Sequence, residues 1–313
     1  MSRALWAVLF WLVSATDLWA IDFARYHSQD EINSYLKEVA AEHPELARFH
    51  FLGYSQRGRD INYLVLSKGD PEAVPAIYLN GTHHGNEKSS TETVLAVIDY
   101  LVNNRTNAQV TELLDNYAIY LQPLVNPDGH AANTREDYQG KDPNRDYSFP
   151  ERSDEDSFKT PQVKLVKDLA DRVRFRAAAA FHSGMEGVLW PWCFTSQRPA
   201  DNDTFFTIAK TTALSMNMTR YAQSNSDYAT RGEFIDYVYM AHGTVAVTVE
   251  VSNDPTPPAA KLAAVVRRAV AGSMTFMLQI LELDRGQLKV EHPLDALLAS
   301  HRKAASTSKS RVE

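Results

Sequence analysis

Histidine and carboxylate side chains stand directly after several apolar runs of this sequence. His84 and Glu87 follow one such run three residues apart, and His182 follows a second. Glu250 lies at the end of a third apolar run. A fourth polar cluster follows another predicted strand and contains Arg135, Asp142, Asn144 and Arg145. Because ligands of open α/β sheets gather at the carboxyl ends of the strands, we expect these groups to share one site.

The residue types in these clusters fit a hydrolytic metal site. Two histidines and one carboxylate are a ligand set that leaves zinc a coordination position for water. A further carboxylate can act as a general base, and an arginine can stabilise a developing oxyanion. Each residue also has a structural interpretation: a helix cap for the first pair, a hydrogen-bonded core histidine, or a salt-bridged strand carboxylate. The four clusters together favour the metal site.

Alternating strand-like and helix-like segments must position these residues. Ser28 and Glu31 form a predicted capping box, and Thr160 followed by Pro161 predicts a second helix start. Further helices are predicted from about residue 87 and over 258–283. Strands are predicted at residues 48–52, 61–67, 76–79, 117–124, 177–181 and 245–251. This order predicts an α/β fold: a three-layer α/β/α sandwich with a mixed, mostly parallel central sheet.

The composition is that of an ordinary globular protein. The chain has 313 residues, 44% of them hydrophobic and 23% charged, and a formal net charge of −7. These values exclude intrinsic disorder, collagen and a multispan membrane architecture. The acidic balance and the lack of a long basic run argue against a nucleic-acid partner. A single cysteine, Cys193, excludes an intramolecular disulfide.

The two ends of the chain differ from its middle. Arg3 followed by the apolar residues 4–13 is typical of a secretory signal. Residues 1–20 are therefore predicted to contain a signal peptide that is cleaved after residue 15 or 20. A buried N-terminal helix is the alternative. Residues 21–285 form the predicted catalytic domain, and residues 286–313 a polar, flexible tail. We therefore expect an exported monomer, periplasmic or secreted and bacterial, without a stable membrane anchor.

The polar clusters carry a resemblance that covers roughly residues 26–283. The sequence resembles the zinc metallocarboxypeptidases, the family of pancreatic carboxypeptidases A and B and of the regulatory carboxypeptidases. Residues 84–87 have the HGNE form of the first zinc motif that is typical of the regulatory branch. The other matching motifs are residues 126–129, 142–145, 182–183, 236–239 and 248–250. The resemblance implies a metallocarboxypeptidase of the zinc carboxypeptidase fold.

The resemblance implies a role for each residue of the metal site. The ligands of one Zn²⁺ per chain would be His84, Glu87 and His182. Asp142 would orient His84 from behind. Glu250 would take a proton from the attacking water and deliver it to the leaving amine, and Arg135 would stabilise the oxyanion.

The resemblance also implies how substrate is held. Asn144 and Arg145 would bind the terminal carboxylate of a peptide or protein, and Tyr228 would close over the bound residue. Thr248, two residues before the base, is expected at the substrate. A clamp for a free carboxylate makes the enzyme an exopeptidase that cleaves the C-terminal peptide bond.

Specificity and one departure from the family pattern remain to be interpreted. Ile235, which stands where enzymes that prefer basic residues have aspartate, predicts a neutral, apolar preference, whereas Glu233 would favour a cationic group. Cys193 is expected to line the same pocket, or else to be a small buried hydrophobe. Asp146 replaces the usual asparagine after Arg145. Alternative functions are a zinc deacylase, an amidase for γ-linked peptidoglycan peptides, or a noncatalytic peptide-binding relative.

Overall fold

The computed structural model describes residues 20–226 and 228–290 of the chain. The strands are β1 (Ala47–Tyr54), β2 (Asp60–Leu66), β3 (Ala76–Gly81), β4 (Ala118–Gln122), β5 (Ala177–His182), β6 (Met185–Trp190), β7 (Tyr221–Gln223) and β8 (Val245–Ser252). The α-helices are α1 (Gln29–Glu42), α2 (Lys88–Asn103), α3 (Ala108–Asn116), α4 (Pro127–Ala132), α5 (Pro161–Val173), α6 (Asn202–Ser215), α7 (Phe234–His242) and α8 (Ala259–Asp284). Nearly all of the predicted signal segment 1–20 and most of the predicted tail 286–313 lie outside the described residues.

The described strands form one mixed sheet in the order β1-β2-β4-β3-β5-β8-β6-β7. The central strands β4, β3, β5 and β8 run parallel to one another, and β7 is parallel to β6. The remaining neighbours, β1–β2, β2–β4 and β8–β6, are antiparallel. Parallel neighbours need long crossovers, which the helices supply. The predicted mixed sheet with a mostly parallel arrangement is confirmed.

Helices cover both faces of the sheet because its strands are apolar on both sides. Neighbouring β3 residues divide between two core clusters: Leu79 belongs to the larger one and Tyr78 to the smaller. The larger cluster includes side chains of α1, α2, α3, α6 and α8, and the smaller includes α5 and α7. This two-sided core confirms the three-layer sandwich.

The longest helix, α8, belongs to the larger core. By length and composition alone it could cross a membrane, but 67% of its most apolar window is buried inside the protein. It packs against α2 and α6. Burial of this extent is typical of a core helix.

Two predicted helix starts differ in their hydrogen bonds. At α1, Ser28 accepts from the backbone of Glu31, and the Glu31 side chain accepts from the backbone of Ser28, which confirms the capping box. At α5 the helix begins at Pro161 as predicted, but the Thr160 side chain makes no cap hydrogen bond. The Thr160 backbone N–H instead donates to Asp146 Oδ2 at 2.7 Å.

Buried His130 is expected to make the stability of the fold depend on pH. His130 is buried in α4, and burial, with Lys88 and Arg59 nearby, lowers its pKa from 6.5 to about 4. Between these pH values the unfolded chain binds a proton that the folded chain does not, so stability falls as the pH falls. We expect wild-type protein to lose roughly 2–3 kcal/mol more than His130→Gln between pH 7 and 4.5 in urea unfolding. Equal losses in the two proteins would contradict the assignment.

The strand order brings the polar clusters to one edge of the sheet. β3, β5 and β8 are consecutive neighbours in the sheet. The loop with His84 and Glu87 follows β3, and His182 and Glu250 lie toward the carboxyl ends of β5 and β8. His182 and Glu250 are direct partners in the parallel β5–β8 register. The distance between these two residues is therefore set by backbone hydrogen bonds of the sheet.

Candidate active site

The three predicted metal ligands converge at this edge. One donor atom from each of His84, Glu87 and His182 lies within 4.8 Å of the others, and all three side chains are buried. Glu87 Oε1 is 2.7 Å from His84 Nδ1, and Glu87 Oε2 is 2.8 Å from His182 Nδ1. The two Nδ1 atoms are 3.2 Å apart. Buried lone-pair donors this close need a proton or a cation between them, and this donor set fits Zn²⁺ with an open position.

The loop between β3 and α2 positions two of these side chains. Thr82 adopts a left-handed backbone conformation at φ 61°, and its hydroxyl lies 2.8 Å from that of Ser90. Asn126 Nδ2 donates to the backbone carbonyl of His83 at 3.2 Å. Glu87 is the N-cap residue of α2 but makes no side-chain cap hydrogen bond, so its carboxylate remains directed at the histidines.

Gly85 is the point at which this loop touches α4. A Cβ atom at Gly85 would lie 2.0 Å from the Gly129 carbonyl carbon and 2.3 Å from the His130 nitrogen, so backbone would have to move. We expect Gly85→Ala to cost about 3 kcal/mol in urea unfolding and to lower zinc affinity. Gly69→Ala is the matched control because a Cβ there meets nothing within 4 Å. Equal stability of the two variants would show that the loop tolerates displacement.

The charges of the cluster favour a bound cation. Burial disfavours the charged form of His84, but Glu87 and Asp142 outweigh that effect and raise the pKa of His84 to about 9. Burial also opposes ionisation of Glu87, yet the adjacent His84 and His182 hold the pKa of Glu87 well below its usual range. The carboxylate is therefore ionised at neutral pH, ready to pair with a positive charge.

Asp142 and Arg135 lie next to the three clustered ligands and are more exposed than they are. Asp142 Oδ1 lies 3.0 Å from His84 Nε2, and Asp142 Oδ2 accepts from Arg135 Nε at 3.0 Å. Arg135 Nη1 also lies 3.4 Å from Glu87 Oε1. Burial opposes ionisation of Asp142, but His84 and Arg135 hold its pKa well below its usual range. An ionised partner at Nε2 fixes the ring so that Nδ1 faces the metal position.

Loss of the Asp142 contact is expected to weaken metal binding. Removing the partner of a ligating histidine typically costs 10- to 100-fold in affinity, and we expect this range for Asp142→Ala. The dissociation constant for Zn²⁺ can be measured by competition with a chromophoric chelator. Asp168→Ala, which removes a surface carboxylate paired with Lys164, is the control. An unchanged zinc affinity in Asp142→Ala would contradict the orienting role.

Glu250 faces the same site from β8. Its Oε2 atom is buried and has no hydrogen-bond partner in the part of the chain that the structure describes. Burial, reinforced by the negative charge of Glu87, raises the pKa of Glu250 well above its usual range. A carboxylate that is poorly solvated accepts a proton readily, which is the property that a general base needs.

One cavity contains the metal cluster and most of the predicted substrate residues. Its predicted lining residues are His84, Glu87, Arg135, Asn144, Arg145, His182, Tyr228, Glu233, Thr248 and Glu250. Met185, Leu189 and Ser224 also line it but were not predicted. Met185 and Leu189 are four residues apart in β6 and so face the same side of the sheet. Nothing in the sequence marks these three residues, because residues 188–190 are continuously apolar and show no alternation.

Two residues predicted in the specificity pocket do not line this cavity. Ile235 is 1% exposed and belongs to the smaller core cluster, because α7 begins at Phe234 and turns this side chain toward the sheet. Cys193 is fully buried in the same cluster, and its Sγ donates to Glu233 Oε2 at 3.4 Å. The interpretation that Ile235 sets an apolar preference therefore stays a prediction, since its side chain lies in the core next to the cavity and not among the lining residues. Cys193 matches its alternative interpretation as a small buried residue.

The predicted carboxylate clamp lies on a well-anchored turn. Asn144 Oδ1 accepts from the backbone N–H of Phe234 at 3.0 Å, and Arg145 Nη1 lies 3.2 Å from Glu233 Oε1. Asp146, the departure from the family pattern, accepts from the Thr160 N–H, so its carboxylate is engaged in holding the chain before α5. Tyr228 lines the cavity mouth with 60% of its surface exposed.

The fold and this site define an α/β metallohydrolase. The sequence profile described as zinc carboxypeptidase matches residues 32–272, and the chain belongs to this family. It is 30% identical over 268 residues to carboxypeptidase B of Astacus astacus, covering 74% of this chain and 88% of that protein. It is 29% identical over 300 residues to mouse (Mus musculus) carboxypeptidase M, covering 84% of this chain and 66% of that protein.

Solved structures share the fold. Thrombin-activatable fibrinolysis inhibitor superposes with a TM-score of 0.75 at 19% identity, covering 83% of this chain and 75% of that chain. Carboxypeptidase A from Helicoverpa armigera superposes with a TM-score of 0.72 at 19% identity, covering 82% and 75%. The predicted family and fold are thereby confirmed.

Proposed function

We propose that this protein is a zinc-dependent exopeptidase that hydrolyses the C-terminal peptide bond of peptides or proteins. The observation that carries the proposal is the convergence of three groups on one cavity: the metal cluster, the Glu250 carboxylate and the Arg145 guanidinium. A metal cluster with a base supports hydrolysis, and a guanidinium beside it supports recognition of a free carboxylate.

Each residue of the cavity has a task in this reaction. His84, Glu87 and His182 would hold Zn²⁺, which when bound would supply a Lewis acid for the scissile carbonyl and for water. Glu250 accepts the proton of the attacking water and passes it to the leaving nitrogen. Arg135 stabilises the oxyanion that develops on the carbonyl oxygen.

The substrate end is held by a second set of residues. Asn144 and Arg145 bind the terminal carboxylate, with Arg145 supplying the charge. Exposed Tyr228 closes over the bound terminal residue, and Thr248 borders that residue on the β8 side. Binding in this orientation would place the last peptide bond beside His84, Glu87 and His182 and leave internal bonds outside the cavity.

The alternative functions have less support. A deacylase or an amidase for γ-linked peptidoglycan peptides would use the same metal cluster, but the family and fold matches favour a carboxypeptidase. A noncatalytic relative would not need the base, yet Glu250 lines the cavity beside the full ligand set.

A matched pair of peptides tests the proposal. Zinc-loaded protein is incubated with a peptide and with its C-terminally amidated form, and products are followed by mass spectrometry. We expect release of single C-terminal residues from the free acid and at least about 10-fold slower cleavage of the amide, which lacks the charged group that Arg145 binds. Release of internal fragments, or equal rates for both peptides, would contradict the exopeptidase assignment.

We also propose that the chain is exported and acts as a monomer. Arg3 and the apolar residues 4–13 support export, although these residues lie outside the described part of the chain. N-terminal sequencing of protein recovered from the producing cell tests removal of this segment, and light scattering tests the oligomeric state. An intact N-terminus or a stable dimer would overturn the respective statement.

A further inference from the structure

Residues 253–257, which we call the clasp, join β8 to α8 and touch the loop that carries two of the metal ligands. Thr256 in the clasp is half-buried, and its hydroxyl donates to the backbone carbonyl of Asn86 at 2.6 Å. Asn86 directly precedes Glu87. No part of the proposed hydrolysis uses Thr256.

The carbonyl that Thr256 binds belongs to the peptide group that joins Asn86 to Glu87. The N–H of the same peptide group donates to the His84 carbonyl at 3.1 Å. Because a peptide group is planar, hydrogen bonds at both of its ends fix its orientation. The backbone of Glu87 is not helical, with φ −90° and ψ 60°, so α2 does not set this orientation. The two hydrogen bonds therefore determine the direction in which the Glu87 side chain leaves the loop.

The clasp also holds the segment that carries the third ligand. Ser183, directly after His182, donates from its hydroxyl to the Pro255 carbonyl at 2.8 Å. The backbone N–H of Ser183 donates to Glu87 Oε2 at 3.1 Å. The clasp is thus bonded to the residue before one ligand and to the residue after another, although the two ligands lie far apart in the sequence.

The N-terminal part of the described chain anchors the clasp from its other end. The Tyr26 hydroxyl donates to the Pro257 carbonyl. The next residue, His27, is buried and binds Glu92 of α2 through its backbone N–H and its ring Nδ1, both at 2.8 Å. Since α2 begins directly after Glu87, these contacts lead from the helix through the clasp and back to the metal loop. The clasp is therefore a fixed support for the Thr256 hydroxyl.

We propose that Thr256 is a positioning residue for the metal site. Its hydroxyl, through the Asn86 carbonyl, holds Glu87 in the direction that metal binding requires. The inference rests on the proposed zinc-dependent function, because zinc is the ligand for which Glu87 is positioned. A site whose ligands are held in place before the metal arrives loses less conformational entropy on binding. Loss of the Thr256 hydroxyl should therefore weaken zinc binding, although Thr256 is not itself a ligand.

Two substitutions at position 256 test this proposal. Valine has nearly the shape of threonine without the hydroxyl, whereas serine keeps the hydroxyl. We expect the dissociation constant for Zn²⁺, measured by competition with a chromophoric chelator, to rise about 5- to 10-fold in Thr256→Val, the effect of one net hydrogen bond. In Thr256→Ser it should stay within about twofold of the wild-type value.

Thr111→Val is the matched control. Thr111 is also half-buried and donates from its hydroxyl to a backbone carbonyl, that of Arg105 at 2.9 Å. It lies in α3, and none of the described residues that line the cavity belongs to this helix. Metal-free Thr111→Val and Thr256→Val should both unfold about 2–4 °C below wild type, but only Thr256→Val should bind zinc more weakly.

The outcomes separate this inference from the proposed function. An unchanged zinc affinity in Thr256→Val, or an equal loss in Thr111→Val, overturns the inference and leaves the exopeptidase function standing. Should Thr256→Val not fold, Tyr26→Phe decides, because it releases the other end of the clasp. Its zinc affinity should fall about two- to fivefold, and an unchanged value overturns the inference. Wild-type protein that does not bind stoichiometric zinc overturns the proposed function itself.

Discussion

Replacing Glu250 with glutamine is expected to lower kcat by roughly 100- to 10,000-fold, the range typical of a lost general base. The amide has nearly the same shape as the carboxylate but cannot accept the proton of the attacking water. Zinc content should stay at one ion per chain, because Glu250 is not among the three clustered ligands. Steady-state kinetics and elemental analysis measure both quantities.

The same substitution is expected to leave the fold as stable as the wild type or more stable. Glu250 Oε2 is buried without a partner among the described residues, and burial opposes its charged form. Replacing a poorly solvated ionisable group by a neutral one removes that unfavourable energy. Glu112→Gln, which removes an exposed carboxylate paired with Arg285, is the charge-matched control. Retention of full activity by Glu250→Gln would mean that another group accepts the proton.

Removing a ligand is expected to have the second large effect. His182→Ala deletes one of three donors, and we expect zinc affinity and activity to fall by more than about 100-fold, since loss of an outer partner alone costs 10- to 100-fold. The thermal stabilisation that saturating Zn²⁺ gives wild-type protein should also be lost, because that stabilisation depends on binding to the native state. Calorimetry with and without the metal measures it.

His43→Ala serves as the matched control for His182→Ala. His43 follows α1 and is 4.0 Å from Glu45, at a distance from the metal cluster in a different layer of the fold. Its removal should leave zinc affinity unchanged. Stoichiometric, tightly bound zinc in His182→Ala would place the ligand set elsewhere.

The sheet could be predicted because its central strands are short apolar runs that end in polar residues. That pattern gives both the strand and the point at which it stops, so His182 and Glu250 could be placed at the same edge. The pairing of these two residues in register adds a geometric detail that periodicity does not contain. β6 escaped prediction because Gly187 interrupts its short apolar run, and its antiparallel partner β8 is distant in sequence.

The specificity residues could not be placed from sequence because their directions depend on tertiary contacts. Glu233 and Ile235 are two residues apart, yet the start of α7 between them turns one toward the cavity and the other toward the core. Cys193, forty residues earlier in the chain, donates to Glu233 from behind. Local pattern carries no information about such a contact. Asp146 likewise could be noticed as unusual, but its partner Thr160 is visible only in the fold.

The turn that carries Asn144 and Arg145 has a consequence for the thermodynamics of substrate association. Phe234 N–H is bound to the Asn144 side chain, Thr160 N–H is bound to Asp146, and Arg152 donates to the Arg145 carbonyl at 2.7 Å. These bonds exist before any substrate arrives, so little backbone conformational entropy is lost when the carboxylate is captured. In the proposed function, the exposed Tyr228 side chain would by contrast lose rotamer freedom on closing over the bound residue. If the residues act as proposed, the conformational entropy lost on binding would come mainly from the Tyr228 side chain, and substrate could be exchanged for product while the turn that carries Asn144 and Arg145 keeps its hydrogen bonds.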